Sequence, residues 1–142
     1  MALSVRGNVE GKSMKLLIAA MTAFFGLSAF AVTPNDPLPT EVLSCGGSKV
    51  AKIMGRLQGD ANLETGAHVI LNNGGMTVAY QDDISLTAIR NTRIGDHVLV
   101  CLVNITKNCP KGDDRGKVYT ITNLRTLESW TLPDSQHSCG GA

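Results

Sequence analysis

"AHVILNNGGMTVAYQ", residues 67–81, holds two apolar runs that meet at Asn72-Asn73-Gly74-Gly75. Val69, Ile70 and Leu71 lead in, and Met76 to Tyr80 lead out. Asn and Gly tolerate the positive φ that tight turns demand, so this stretch predicts a β-hairpin. The pattern continues on both sides. Upstream, "SKVAKIMGRL" (48–57) alternates in part and reads as a strand or a short helical turn. Downstream, Ile94-Gly95-Asp96 is a turn that feeds the apolar run Val98–Val103, too continuous for a half-exposed strand and so expected to be the most buried one. "GDDRGK" (112–117) is a polar loop, "KVYTITNL" (117–124) has the β-branched and aromatic content of a strand, and "SWTL" (129–132) closes a last hairpin before Pro133.

Strands separated by turns at about ten-residue spacing imply an all-β fold, a small five- or six-stranded antiparallel barrel or sandwich. A Gly-Asp turn ahead of a long buried strand resembles barrels of the OB and SH3 types. That resemblance is too general to carry a function.

The N-terminal third has a different character. From Met14, "MKLLIAAMTAFFGLSAFA" places Lys15 before an apolar run and ends in Ala29-Phe30-Ala31, a small-x-small cleavage site. This is the layout of a secretory signal peptide, so residues 1–31 are expected to be removed, with Met14 as a possible true start. Residues 32–44, rich in proline, read as a linker, and 45–142 as the β-domain. The expected location is exported, periplasmic or secreted, with no membrane attachment after cleavage. Cys45 is separated from the apolar run by "VTPNDPLPTE", which argues against a lipid-attachment box.

Removing residues 1–31 takes all three phenylalanines and leaves Tyr80, Tyr119 and Trp130 as the aromatic residues. The formal charge of the whole chain is +1, and the leader removes Arg6, Lys12 and Lys15 with a single acid, Glu10. A chain so near neutrality, with few stacking side chains, is not expected to bind nucleic acid.

Four cysteines, Cys45, Cys101, Cys109 and Cys139, are read as a disulfide framework in an exported domain. Cys101 and Cys109 are eight residues apart around a turn at Asn108 and Pro110, so the expected pairing is Cys101–Cys109, with Cys45–Cys139 joining the domain's ends. No CxxC or HxxxH pair is present, so no metal and no other cofactor is expected, nor a redox role for the thiols.

For function, Asp134, Ser135 and His137 contain the elements of a catalytic triad but lie within four positions of a tail, and no G-x-S-x-G elbow is present. The favoured expectation is a non-catalytic module that binds a protein, peptide or glycan. Trp130, Tyr119 and Arg125, on one predicted hairpin, are its candidate contact residues because Trp, Tyr and Arg dominate binding hot spots. The alternative is a small hydrolase that uses His137 with a nearby acid. His68 and His97 read as polar residues at strand starts, and Asp82-Asp83 and Asp113-Asp114 as solvated turns.

Overall fold

A computed structural model describes residues 35–141; the leader expected over 1–31 lies outside the described residues. Six strands form one antiparallel sheet: β1 (Cys45–Gly55), β2 (Gly66–Leu71), β3 (Met76–Tyr80), β4 (His97–Asn104), β5 (Val118–Asn123) and β6 (Ser129–Pro133). Their order is β3-β2-β1-β4-β5-β6, and the sheet curls until β3 approaches β6, giving a nearly closed barrel. The hairpin expected at Asn72–Gly75 is present as the β2–β3 connection, with Ile70 opposite Met76.

β1 is the strand on which the curl depends. Its first half, Cys45–Lys49, pairs with β4, and its second half, Val50–Gly55, pairs with β2. The register slips between Val50 and Lys52, where the strand changes partners. At that point Val50 bonds the turn before β4 in both directions, donating to Asp96 O at 3.0 Å and accepting from Gly95 N at 2.8 Å. A bulge of this kind bends a strand and increases its twist, which is how one strand serves both halves of a barrel.

The inward side chains alternate as a period of two requires. Val50, Val69, Val98, Val100, Leu102, Ile121 and Trp130 make up the centre of the core. β4 is thus buried on one face only. Leu99, Cys101 and Val103 are half-exposed, because the outer side of the barrel carries no second layer over β4. A single helical turn and a half, α1 (Leu86–Asn91), joins β3 to β4 and plugs the barrel with Leu86, Ala88 and Ile89. At six residues it is too short to show a helical period in the sequence.

Residues 36–44, read above as a linker, dock on the barrel. Asp36 N donates to Gly47 O, its carboxylate accepts Gly47 N at 2.7 Å, and Leu43 N donates to Leu102 O at 2.8 Å. Leu38 packs on the core.

The expected disulfide pairing is corrected. The bonds are Cys45–Cys101 and Cys109–Cys139, with Cα separations of 4.1 and 5.3 Å. Cys45 and Cys101 are register partners on β1 and β4, so the ladder itself brings them together. Beyond Asn104 the chain leaves the sheet, and Cys109 meets the C-terminal tail rather than turning back to Cys101. Two intramolecular bonds with no free cysteine suit an oxidising compartment. Non-reducing peptide mapping should return linked 45/101 and 109/139 peptides. Replacing Cys45 and Cys101 together by serine should lower stability by about 2–5 kcal/mol in urea unfolding.

Candidate functional site

Trp130, Tyr119 and Arg125 do not form an exposed patch. Trp130 is 2 % exposed, and its indole N–H donates to Thr77 Oγ1 at 3.2 Å across the β3–β6 seam. Tyr119 is also 2 % exposed, with its hydroxyl donating to Pro39 O at 3.3 Å, and burial pushes its pKa up. The described residues contain no phenylalanine, so the core draws on Trp130 and Tyr119 for large aromatic side chains, which is why residue type misdirected the expectation. Arg125 is partly exposed but spent on structure. Its guanidinium grips the Asp96 carboxylate through Nε and Nη2 at 2.8 and 2.7 Å and donates to Asn91 O at 2.7 Å.

That ion pair belongs to a knot around buried Asn123. The Asn123 amide donates to Thr92 Oγ1 and to Asp96 Oδ2, and its oxygen accepts the N–H groups of Arg125 and Thr126. Hydrogen bonds from Arg125 first, and then from Asn123, hold the Asp96 carboxyl well below the usual carboxylate range. The knot ties the turn before β4 to the β5–β6 hairpin.

The tail residues are likewise occupied. Gly116 N donates to Asp134 Oδ1 at 2.7 Å and to Ser135 Oγ at 3.0 Å, and the Ser135 hydroxyl lies against the His137 carbonyl, not its ring. No Ser-His-Asp relay is assembled there. Among the described residues no group of His, Cys, Asp and Glu is placed to hold a metal ion.

A site does emerge on the outer face of β1–β3, where the register places three rows of side chains side by side. Lys52, Ile70 and Met76 form the first row, and Met54, His68 and Val78 the second. Arg56, Gly66 and Tyr80 form the third, through Arg56 N to Gly66 O and the Gly66–Tyr80 pair. Gly66 adopts φ 111°, and a Cβ there would stand 2.1 Å from Ala79 O. The position must be glycine, and its missing side chain opens a lane from Arg56 to Tyr80. Arg56 uses it, lying over the Tyr80 ring at 4.7 Å from the centroid. Tyr80 itself is 43 % exposed.

The β1–β2 loop fixes Arg56 from the other side. Asp60 accepts from Asn62 N, Glu64 N, Thr65 N and the Thr65 hydroxyl, and the Thr65 carbonyl accepts Arg56 Nε at 2.8 Å. Gly55 permits this, because a Cβ there would meet Asp60 O at 2.2 Å. The bond from the Thr65 hydroxyl, followed by that from its N–H, lowers the Asp60 pKa to about 2. Beside Arg56 the loop encloses an open cleft of about 290 Å³ between Met54 and Ala61.

The C-terminal tail reaches the same face. Tyr80 Oη donates to Gln136 O at 2.9 Å, and the Gln136 amide lies 3.3 Å from His68 Nε2. Val78, on the same face beside His68 and Tyr80, points outward yet is only 1 % exposed. Burial, then the Arg56 charge, holds the His68 pKa down. His68 was read as an isolated polar residue; Arg56, Tyr80 and Met54 were missed. Their only shared signal is i, i+2 spacing within strands, which has meaning once the register is known.

Two outcomes follow. Asn123→Ala would strand the groups it joins and should cost about 3 kcal/mol in denaturant unfolding. Asp60 has a depressed folded pKa, so its contribution is complete above about pH 3.8 and disappears as pH falls toward 2. Asp60→Asn should therefore flatten the acid-unfolding profile between those values, as followed by circular dichroism.

Compared with known proteins, the chain matches no family model, no curated protein and no solved structure.

Proposed function

We propose that this protein is an exported, non-catalytic binding module that takes a protein, peptide or glycan partner on the outer face of β1–β3. The observation that carries the reading is the Arg56 guanidinium, held over an exposed Tyr80 through the lane at Gly66 and beside His68. Tyr and Arg fixed in place and still accessible are the residue types that anchor partners at low entropic cost.

Three further points support it. The chain order, a three-strand meander, a short helix and then strands that return beside β1, resembles an OB-type barrel with β6 added. In such barrels the face of the second and third strands and the adjoining loops carry ligand. Two intramolecular disulfides and the leader-like residues 14–31 favour a periplasmic or secreted location. Finally, the polar groups around His137 are engaged in holding the tail, whereas Lys52, Met54 and the Tyr80 ring on the β1–β3 face are exposed.

The test is affinity capture from envelope extract of the producing cells, with the oxidised full chain as bait beside Tyr80→Ala and Met54→Ala baits. The expected result is a partner retained by the wild-type bait and reduced at least fivefold on both variants, whose melting curves stay two-state. Equal capture by all three baits would refute the assignment.

A further inference from the structure

Resting on the face assigned above, we infer that its partner is an extended acidic peptide segment of another protein, with acidic side chains at positions i and i+4 flanking an apolar one at i+2. Three observations lead there.

The first is charge. The nine positions of the face include two cations, Lys52 and Arg56, and no Asp or Glu. The ion pairs among the described residues join Arg115 to Asp113, Lys117 to Asp114 and Arg125 to Asp96, so neither cation of the face has a carboxylate partner there. Arg56 is nonetheless held firmly, with Nε on the Thr65 carbonyl and its plane over Tyr80. A guanidinium fixed by a carbonyl and a ring, with no partner for its Nη groups among the described residues, suits a carboxylate, which it can take through two parallel hydrogen bonds.

The second is spacing. Lys52 and Met54 on β1 and Arg56 just beyond its end stand in one column, two residues apart. At about 3.3 Å per residue, the α-carbons of Lys52 and Arg56 are roughly 13 Å apart with an exposed methionine between them, and the Arg56 guanidinium leans from that column toward Tyr80. An extended peptide presents alternate side chains on one face at the same repeat, so acid, apolar and acid at i, i+2 and i+4 match cation, methionine and cation. Half-buried Ile70 and Met76 stand in the neighbouring row, beside Lys52, so the apolar surface extends past Met54, and methionine adapts to varied apolar partners.

The third observation distinguishes a peptide from a sugar. The chain's own tail already lies on this face as a peptide, with Tyr80 donating to a main-chain carbonyl and His68 facing a side-chain amide. The tail is fixed by the Cys109–Cys139 bond and occupies the β3 side, while Lys52 and Met54 on β1 remain exposed. A second peptide segment would lie beside it.

The test uses the oxidised full chain, immobilised, against a displayed library of random dodecapeptides, with a tetragalacturonate resin as the glycan arm. The expected result is enrichment of acid-x-apolar-x-acid sequences. The best synthetic peptide should then bind in fluorescence anisotropy, weaken with added salt, and lose at least tenfold in affinity to Lys52→Glu and to Arg56→Glu. Circular dichroism would check that both variants are folded, and Lys52→Glu, on an exposed site, keeps the test decisive if Arg56→Glu disturbs the loop. No enrichment, enrichment without the acidic spacing, or retention on the uronate resin without peptide binding would overturn the inference. If a selected peptide is weakened by Tyr80→Ala and Met54→Ala but not by charge reversal, this inference falls and the face assignment stands. If none of the four substitutions matters, both fall.

Discussion

The barrel depends on β1 changing partners at Val50. Below that residue β1 belongs to the β4–β5–β6 half, above it to the β2–β3 half, and Val50 itself is bonded to the Gly95-Asp96 turn. One strand shared in this way lets a 107-residue described segment enclose a core without a second sheet or a helical layer. The Asn123 knot extends the constraint. Asp96, whose carbonyl accepts Val50 N, uses its carboxylate to hold Arg125 and Asn123, so the bend in β1 and the last hairpin are fixed by the same residue.

What the sequence made legible is what local chemistry decides. The Asn-Asn-Gly-Gly hairpin and the positions of β4 and β6 are each encoded within a few residues and stand where expected, but β4, read as too apolar to be half-exposed, buries only one face, and β6 runs one residue further, through Pro133. The disulfide pairing was not legible, because Cys45 meets Cys101 through a ladder that joins residues 56 positions apart. Spacing favoured the nearer Cys109, and spacing is a poor guide once a strand pairs with a distant neighbour. α1 escaped notice for the opposite reason: its six residues are placed by the barrel opening they fill, not by a period of their own.

The candidate site was hidden by the same physics. Trp130 and Tyr119 are the kinds of residue that anchor partners, but they are also what a core poor in phenylalanine must use. Arg56 just past the end of β1, His68 on β2 and Tyr80 on β3 meet only because the pairing puts Gly66 between Arg56 and Tyr80. Glycine at that point looks like a strand breaker in the sequence. In the fold its positive φ and lack of a Cβ are what allow a cation to cross one strand and lie on an aromatic ring.

The two disulfides act on opposite sides of this arrangement. Cys45–Cys101 locks the half of β1 that pairs with β4, leaving the other half to carry Lys52 and Met54 on its outer side, with Arg56 just beyond its end. Cys109–Cys139 locks the tail, and the tail brings Gln136 to His68 and Tyr80. A short barrel with one shared strand has little core to spare for holding a surface in shape. Here covalent bonds and one buried amide fix the frame, and the Asp60 carboxylate fixes the loop, so the outward residues of β1–β3 are kept in place by groups that are not themselves part of the face. Among the described residues Lys52 and Arg56 have no carboxylate partner, so what holds the Arg56 guanidinium in position is a carbonyl and a ring, neither of which neutralises its charge.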